Sequence, residues 1–180
     1  MAGPDLTLAL ARLLSDRTLR SAFAADPIRV AGSFSLSDAD TRLLCRMDSK
    51  ALEQQAQALV DKRAGEVRRL VPRTWARLGA DASGRFEDHA AAYWPAGHRR
   101  HPQDALAFLR FLSRHGLPWD RLERLRLETR LSRRRRRVGV VPRIGRWHLP
   151  ALYVTWRTSH GWRERLLHLG PIGPGARRRA

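Results

Sequence analysis

The chain has 180 residues, 43% of them hydrophobic and 29% charged, with a formal net charge of +18 at pH 7. That much apolar material can build a core, which excludes wholesale disorder, and the length bounds the fold to one ordinary domain or two small ones. A single cysteine, Cys45, excludes an internal disulfide framework and a cysteine-rich zinc site.

No apolar run approaches the roughly 20 residues needed to cross a bilayer. Met1 to Leu10 has no basic leader and contains Asp5, a poor secretory signal. The expectation is a soluble cytoplasmic protein with no membrane partner.

Leu6, Leu10, Leu13 and Leu14 recur at helical spacing, and Asp16 is placed to cap a second helix carrying Leu19 and Phe23. Asp26-Pro27 ends that helix and can start another, because proline is tolerated at the first helical position. Ser37 followed by Asp40 reads as a capping box before Leu43 and Leu44. Asp48 or Ser49 caps a long helix through Leu70, which Pro72 kinks or splits before Trp75 and Leu78. Gly79 to Gly84 reads as a break, Arg85 to Tyr93 as a helix and Trp94-Pro95-Ala96-Gly97 as a turn. Pro102 to His115 is an amphipathic helix stopped by Gly116.

After Leu117 the pattern changes. A short helix is expected from Trp119 to about Leu125, but Leu125, Leu127, Thr129 and Leu131 alternate with Arg or Glu at a period of two. Val138 to Ile144, Leu149 to Trp156 and Trp162 to Leu169 read as short strands, with Pro142 and Pro150 at edges or strand ends. The expected fold is α+β: a helical domain over residues 1–116, a small, strongly basic antiparallel sheet of three or four strands over 117–170 packed on it, and a disordered tail over 171–180.

Charge is uneven along the chain. Residues 1–60 are balanced, 61–116 carry a net +5 and 117–180 a net +13. Only Lys50 and Lys62 are lysines, and a GC-rich coding sequence favours arginine on its own, so position is more informative than the total. The basic C-terminal end points to an anionic partner.

The run Arg133, Arg134, Arg135, Arg136, Arg137, followed by Arg143 and Arg146, reads either as a solvated strand edge or as a clamp for phosphate or carboxylate. Trp147, Trp156 and Trp162 nearby read either as the core of a small sheet or as stacking platforms for nucleobases. His98 and His101, with His89 upstream and Asp104 downstream, raise a metal site. Arg99 and Arg100 lie between the two histidines and Gly97 and Pro102 bracket them, which disfavours a dication, so neither metal nor cofactor is expected. Cys45 beside Leu44 reads as a structural thiol. No phosphate loop, nucleophile elbow or paired-carboxylate spacing appears, so no independent catalytic centre is expected.

The stretches Trp94-Pro95-Ala96-Gly97-His98-Arg99-Arg100-His101-Pro102, Leu13-Leu14-Ser15-Asp16, Phe23-Ala24-Ala25-Asp26-Pro27 and Lys62-Arg63-Ala64-Gly65-Glu66-Val67 resemble a group of actinobacterial proteins. These occur beside, or fused to the C-terminal side of, multinuclear non-heme iron-dependent oxidases that modify ribosomally made peptides. The N-terminal helices are also similar to the small helical subunit of protocatechuate ring-opening dioxygenases. The resemblance covers roughly Leu6 to Leu112.

It implies an accessory role, in which the iron ligands belong to the oxidase and this protein binds an acidic precursor peptide and presents it. A basic sheet with an open edge can take such a peptide as an extra strand. No peptide-binding residue carries over from the resemblance. On physical grounds the acidic-partner residues are Arg133 to Arg137, Arg143 and Arg146, and Trp94, Gly97, His98, Arg99, Arg100 and His101 are candidate partner contacts. The rival expectation is a nucleic-acid-binding protein using the same basic region; a third is a helical subunit of an extradiol-type dioxygenase.

Overall fold

A computed structural model describes residues 6–132, 136–144, 149–158 and 161–168. Among these, nine α-helices precede a three-stranded antiparallel sheet, an α+β arrangement. The helices are α1 (Leu6–Ser15), α2 (Arg17–Ala25), α3 (Pro27–Gly32), α4 (Asp38–Cys45), α5 (Ser49–Leu70), α6 (Pro72–Leu78), α7 (Ala82–Ala92), α8 (Arg100–Arg114) and α9 (Arg121–Leu131).

The caps read from sequence are in place. Asp16 accepts from Leu19 N at 3.0 Å, Asp26 from Arg29 N at 3.0 Å, Ser37 from Asp40 N at 3.1 Å and Asp48 from Lys50 N at 2.9 Å. Each side-chain oxygen satisfies a donor that the first helical turn leaves orphaned. Pro27 and Pro72 both stand at the start of a helix, so Pro72 splits α5 from α6. Gly116 has φ +67°, and Leu117 N donates to Leu112 O at 2.9 Å, closing α8 in the left-handed turn that only glycine adopts freely.

Three expectations are corrected. The break at Gly79 to Gly84 shrinks to one 3-10 turn, Gly79–Asp81, and α7 is already helical at Ala82. α8 starts at Arg100, so Arg100 and His101 form its first turn while His98 stays in the preceding loop. Leu125 to Leu131 is helix, not strand. α9 lies between two surfaces: Leu127 and Leu131 pack on the bundle, and Leu122 and Leu125 meet the sheet at Tyr153 and Leu166. Apolar residues on two sides of one helix mimic strand alternation.

Buried side chains of the helical part form two clusters, both served by α5. One joins Leu13, Phe23, Val30, Phe34, Leu44 and Leu52. The other joins Val67, Val71, Phe86, Phe108, Leu109 and Leu112. Cys45 is half-buried beside the first cluster, its Sγ 3.7 Å from Pro27 O.

The strands β1 (Arg136–Ile144), β2 (Leu149–Thr158) and β3 (Gly161–His168) form a meander with β2 central. A register shift between Val141 and Ile144 accommodates Pro142 in the edge strand β1, whereas Pro150 is the second residue of the central strand. Gly139 faces α9, where a Cβ would stand 3.0 Å from Leu125 Cδ2; its missing side chain lets β1 approach the helix. No helix among the described residues is long and apolar enough to cross a membrane. The expected tail, 171–180, lies outside the described residues.

Candidate functional site

The sheet and the bundle enclose a cleft of about 460 Å³. One wall is the α5–α6 junction with Arg69 and Arg73, another is α9 with Glu123, Arg126 and Arg130, and the third is the inner sheet face with Tyr153, Thr155 and Glu164, flanked by Arg163.

α9 is set against α6 by a cap supplied from a distance. α6 has no side-chain cap of its own, because Val71 precedes Pro72. The Glu123 carboxylate instead accepts from Arg73 N at 2.7 Å, Thr74 N at 2.9 Å and the Thr74 hydroxyl at 2.7 Å. The same hydroxyl accepts from Asp120 N at 2.9 Å. A buried carboxylate at a helix N-terminus is stabilised by the aligned peptide dipoles and by three donors at once.

Across the cleft, Arg126 holds Glu164 through paired guanidinium contacts, one of them Nε to Oε2 at 3.0 Å, and Tyr153 donates to Glu164 at 2.7 Å. Burial pushes the Glu164 carboxyl up, but the hydrogen bonds from Arg126 and then Tyr153 outweigh it and hold it below the usual carboxylate range. Burial and the bond to Glu164 push the Tyr153 hydroxyl up, so it stays a donor.

Arg69 is paired with Glu66 at 2.8 Å, but Arg73, Arg130 and Arg163 have no ion pair among the described residues. The Thr155 hydroxyl, in a residue only 1% exposed, has no hydrogen-bond partner among the described residues. The arrangement sets three exposed guanidinium groups around a buried hydroxyl. Such a cleft can take an anionic group.

A second cluster lies in the bundle. Asp104 of α8 accepts from Arg63 Nε and Nη2, each at 3.0 Å, and from His89 Nε2 at 3.1 Å. Arg63 also donates to Tyr93 O at 2.9 Å. Burial pushes the Asp104 carboxyl up, but the bonds from His89 and Arg63 win and hold it below the ordinary range. Asp104 is therefore ionised and can only accept, so His89 Nε2 is the donor. The rings of Phe86, Tyr93, Phe108 and Phe111 surround His89, which is 3% exposed. This Asp–His pair is a fastening between α5, α7 and α8.

Of the residues expected to contact partners, Trp94, Gly97, His98, Arg99 and Arg100 are exposed and His101 is half-buried, all on the loop between α7 and α8 and the first turn of α8. Gly97 has φ +81°, which suits the turn. His98 and His101 are not brought into a ligand set with Asp104, which is already saturated; no group of three or more metal-ligating side chains occurs among the described residues. Arg136, Arg137 and Arg143 lie in β1. Arg133, Arg134, Arg135 and Arg146 lie outside the described residues. Trp156 is half-buried on β2.

The cleft arginines were not singled out from sequence. Arg126 and Arg130, four residues apart, share a face in a helix and in a strand alike, so their spacing by itself does not reveal what that face meets. Arg69 and Arg73 straddle Pro72, which separates them in any element-by-element reading.

Residues 46–114 match the family model described as SCO6045-like, C-terminal domain. The match opens at the end of α4, closes with α8 and takes in Arg63, His89, Asp104 and the Trp94–His101 loop; this actinobacterial family consists of uncharacterised proteins. No curated protein and no solved structure matches the chain.

Proposed function

We propose that this protein is a non-catalytic accessory protein that binds an acidic precursor peptide and presents it to a multinuclear iron-dependent oxidase. The observation that carries the binding half is the cleft, where Arg73, Arg130 and Arg163 lie around the buried Thr155 hydroxyl with no carboxylate in ion-pair distance of them among the described residues, Arg130 acting on Glu164 only from further off. Its walls also hold Glu123 and Glu164, so it presents discrete cationic positions between fixed acids. That pattern suits acidic side chains spaced along a peptide better than a continuous phosphate backbone. The outer edges of β1 and β3 have no strand beside them among the described residues, which suits addition of an extended peptide. The oxidase half rests on the resemblance carried by Trp94 to Pro102.

The test is titration of the full chain with a labelled acidic precursor peptide and, separately, with single-stranded and duplex DNA of similar charge. Arg73→Gln with Arg130→Gln should weaken peptide binding about tenfold or more, the scale of losing charge-assisted hydrogen bonds, while leaving the melt unchanged. Binding should also weaken with salt. Tight DNA binding without peptide preference favours the nucleic-acid reading, and normal oxidase turnover on the peptide without this protein removes the presenting role.

A further inference from the structure

We infer that the start of α8, together with Lys62 and Arg63 of α5, forms a second site, built for a compact oxyanion such as a carboxylate or phosphate group. It shares no lining residue with the cleft and does not depend on the peptide reading.

The first observation is an incomplete guanidinium. Arg63 is 8% exposed, and its Nε and Nη2 are committed to Asp104 and Tyr93 O. Its Nη1 is buried and has no hydrogen-bond partner among the described residues. A buried charged donor without an acceptor is costly, so the position is one an acceptor would stabilise.

The second observation is where that guanidinium lies. It lines a pocket of about 100 Å³ with Lys62, Arg100, His101, Trp94 and Asp104. Several waters would fit, a water's share of liquid volume being about 30 Å³, and so would a group of a few heavy atoms. Lys62 and Arg100 have no ion pair among the described residues, and the carboxylate present, Asp104, is spent on Arg63 and His89.

The third observation is the helix end itself. Arg99 precedes α8 with no side-chain cap, and the first turn holds no acidic residue to neutralise its positive end. Two lining cations, a half-buried histidine, the start of a 15-residue helix and the arginine that carries the orphan donor, stacked between Trp94 and Phe86, therefore border one small space. The Trp94 ring lies over the guanidinium, 4.6 Å from its Cζ, and is 41% exposed, so it forms the outer wall and its indole signal can report on occupancy.

The experiment follows the Trp94 indole and Arg63 Nε signals of the full chain by nuclear magnetic resonance, the former assigned with Trp94→Phe. Inorganic phosphate and acetate are titrated separately, with chloride holding ionic strength constant. The expected result is a saturable shift in the millimolar range. It should be at least about tenfold weaker in Lys62→Gln/Arg100→Gln at an unchanged melting temperature, and unaffected by Arg73→Gln/Arg130→Gln. Tighter phosphate binding assigns the site to a phosphorylated ligand, and tighter acetate binding to a carboxylate; either supports it. A shift that stays linear, or that is equally strong in Lys62→Gln/Arg100→Gln, overturns it. If the double variant does not fold, Arg100→Gln alone, at an exposed position, gives the same reading.

Discussion

Replacing Asp104 with Asn keeps the shape of the side chain and removes its charge. Arg63 would then sit 8% exposed with its carboxylate gone, keeping only the bond to Tyr93 O, and the new amide can accept at one position where the carboxylate accepts three bonds. Stranding one member of a buried ion pair costs about 3–5 kcal/mol. At roughly 2–4 °C per kcal/mol for a chain of this size, Asp104→Asn should lower the melting temperature by about 6–20 °C. The assay is a thermal melt followed by circular dichroism, repeated as a function of pH. Because Asp104 titrates below its unfolded value, its contribution is present above about pH 4 and is lost as pH falls through the lower folded value. The gap between the two proteins should therefore close in acid. Replacing both partners, as Arg63→Met with Asp104→Leu, should be less harmful than Asp104→Asn alone, since no uncompensated charge remains. A melt within about 2 °C of the parent for Asp104→Asn, or a gap independent of pH, would refute the fastening role.

Leu109 is fully buried in the second core cluster, so Leu109→Asp should destabilise by about 4 kcal/mol or more in urea unfolding. Glu123→Ala strips the α6 N-terminus of its acceptor and leaves the Thr74 hydroxyl without its acceptor; a loss of about 1–3 kcal/mol is expected in the same assay. Gly139→Val forces side-chain atoms into the space held by Leu125 and should cost about 1–3 kcal/mol, much of it recovered by adding Leu125→Ala; absence of that recovery would mean the two elements are not pressed together as described.

What the sequence discloses here follows the range of the interactions. Asp16, Asp26, Ser37 and Asp48 act on backbone groups two or three residues away, so their caps are readable along the chain. Glu123 caps a helix whose first residues lie 49 and 50 positions earlier, and Arg63 meets Asp104 across 41 positions; no local pattern announces either. α9 fails for another reason. A helix with one apolar face declares its period, whereas one wedged between a bundle and a sheet carries leucines on two sides and looks alternating. The basic cleft is hidden by range again: Arg126 and Arg130 share a face in helix or strand, but only the packing of α9 brings that face opposite Arg69, Arg73 and the sheet.

Among the described residues, few buried apolar side chains join the sheet to the helices. Leu122 and Tyr153 are the only buried members of the cluster beneath it among the described residues, against ten in the cluster around Phe86 and Phe108. Regions with so little apolar anchorage open at lower free energy than the global unfolding of the chain. Amides of β2 should therefore exchange with deuterium well before those of α8, and the cleft, which has the sheet as a wall, opens whenever the sheet detaches. An anion that bridges Arg130 on α9 and Arg163 on β3 would bind the docked form alone and slow that exchange, by an amount set by its concentration relative to its dissociation constant. Occupancy would thus be registered as the closure of a loosely hinged leaf, with the helical bundle unmoved.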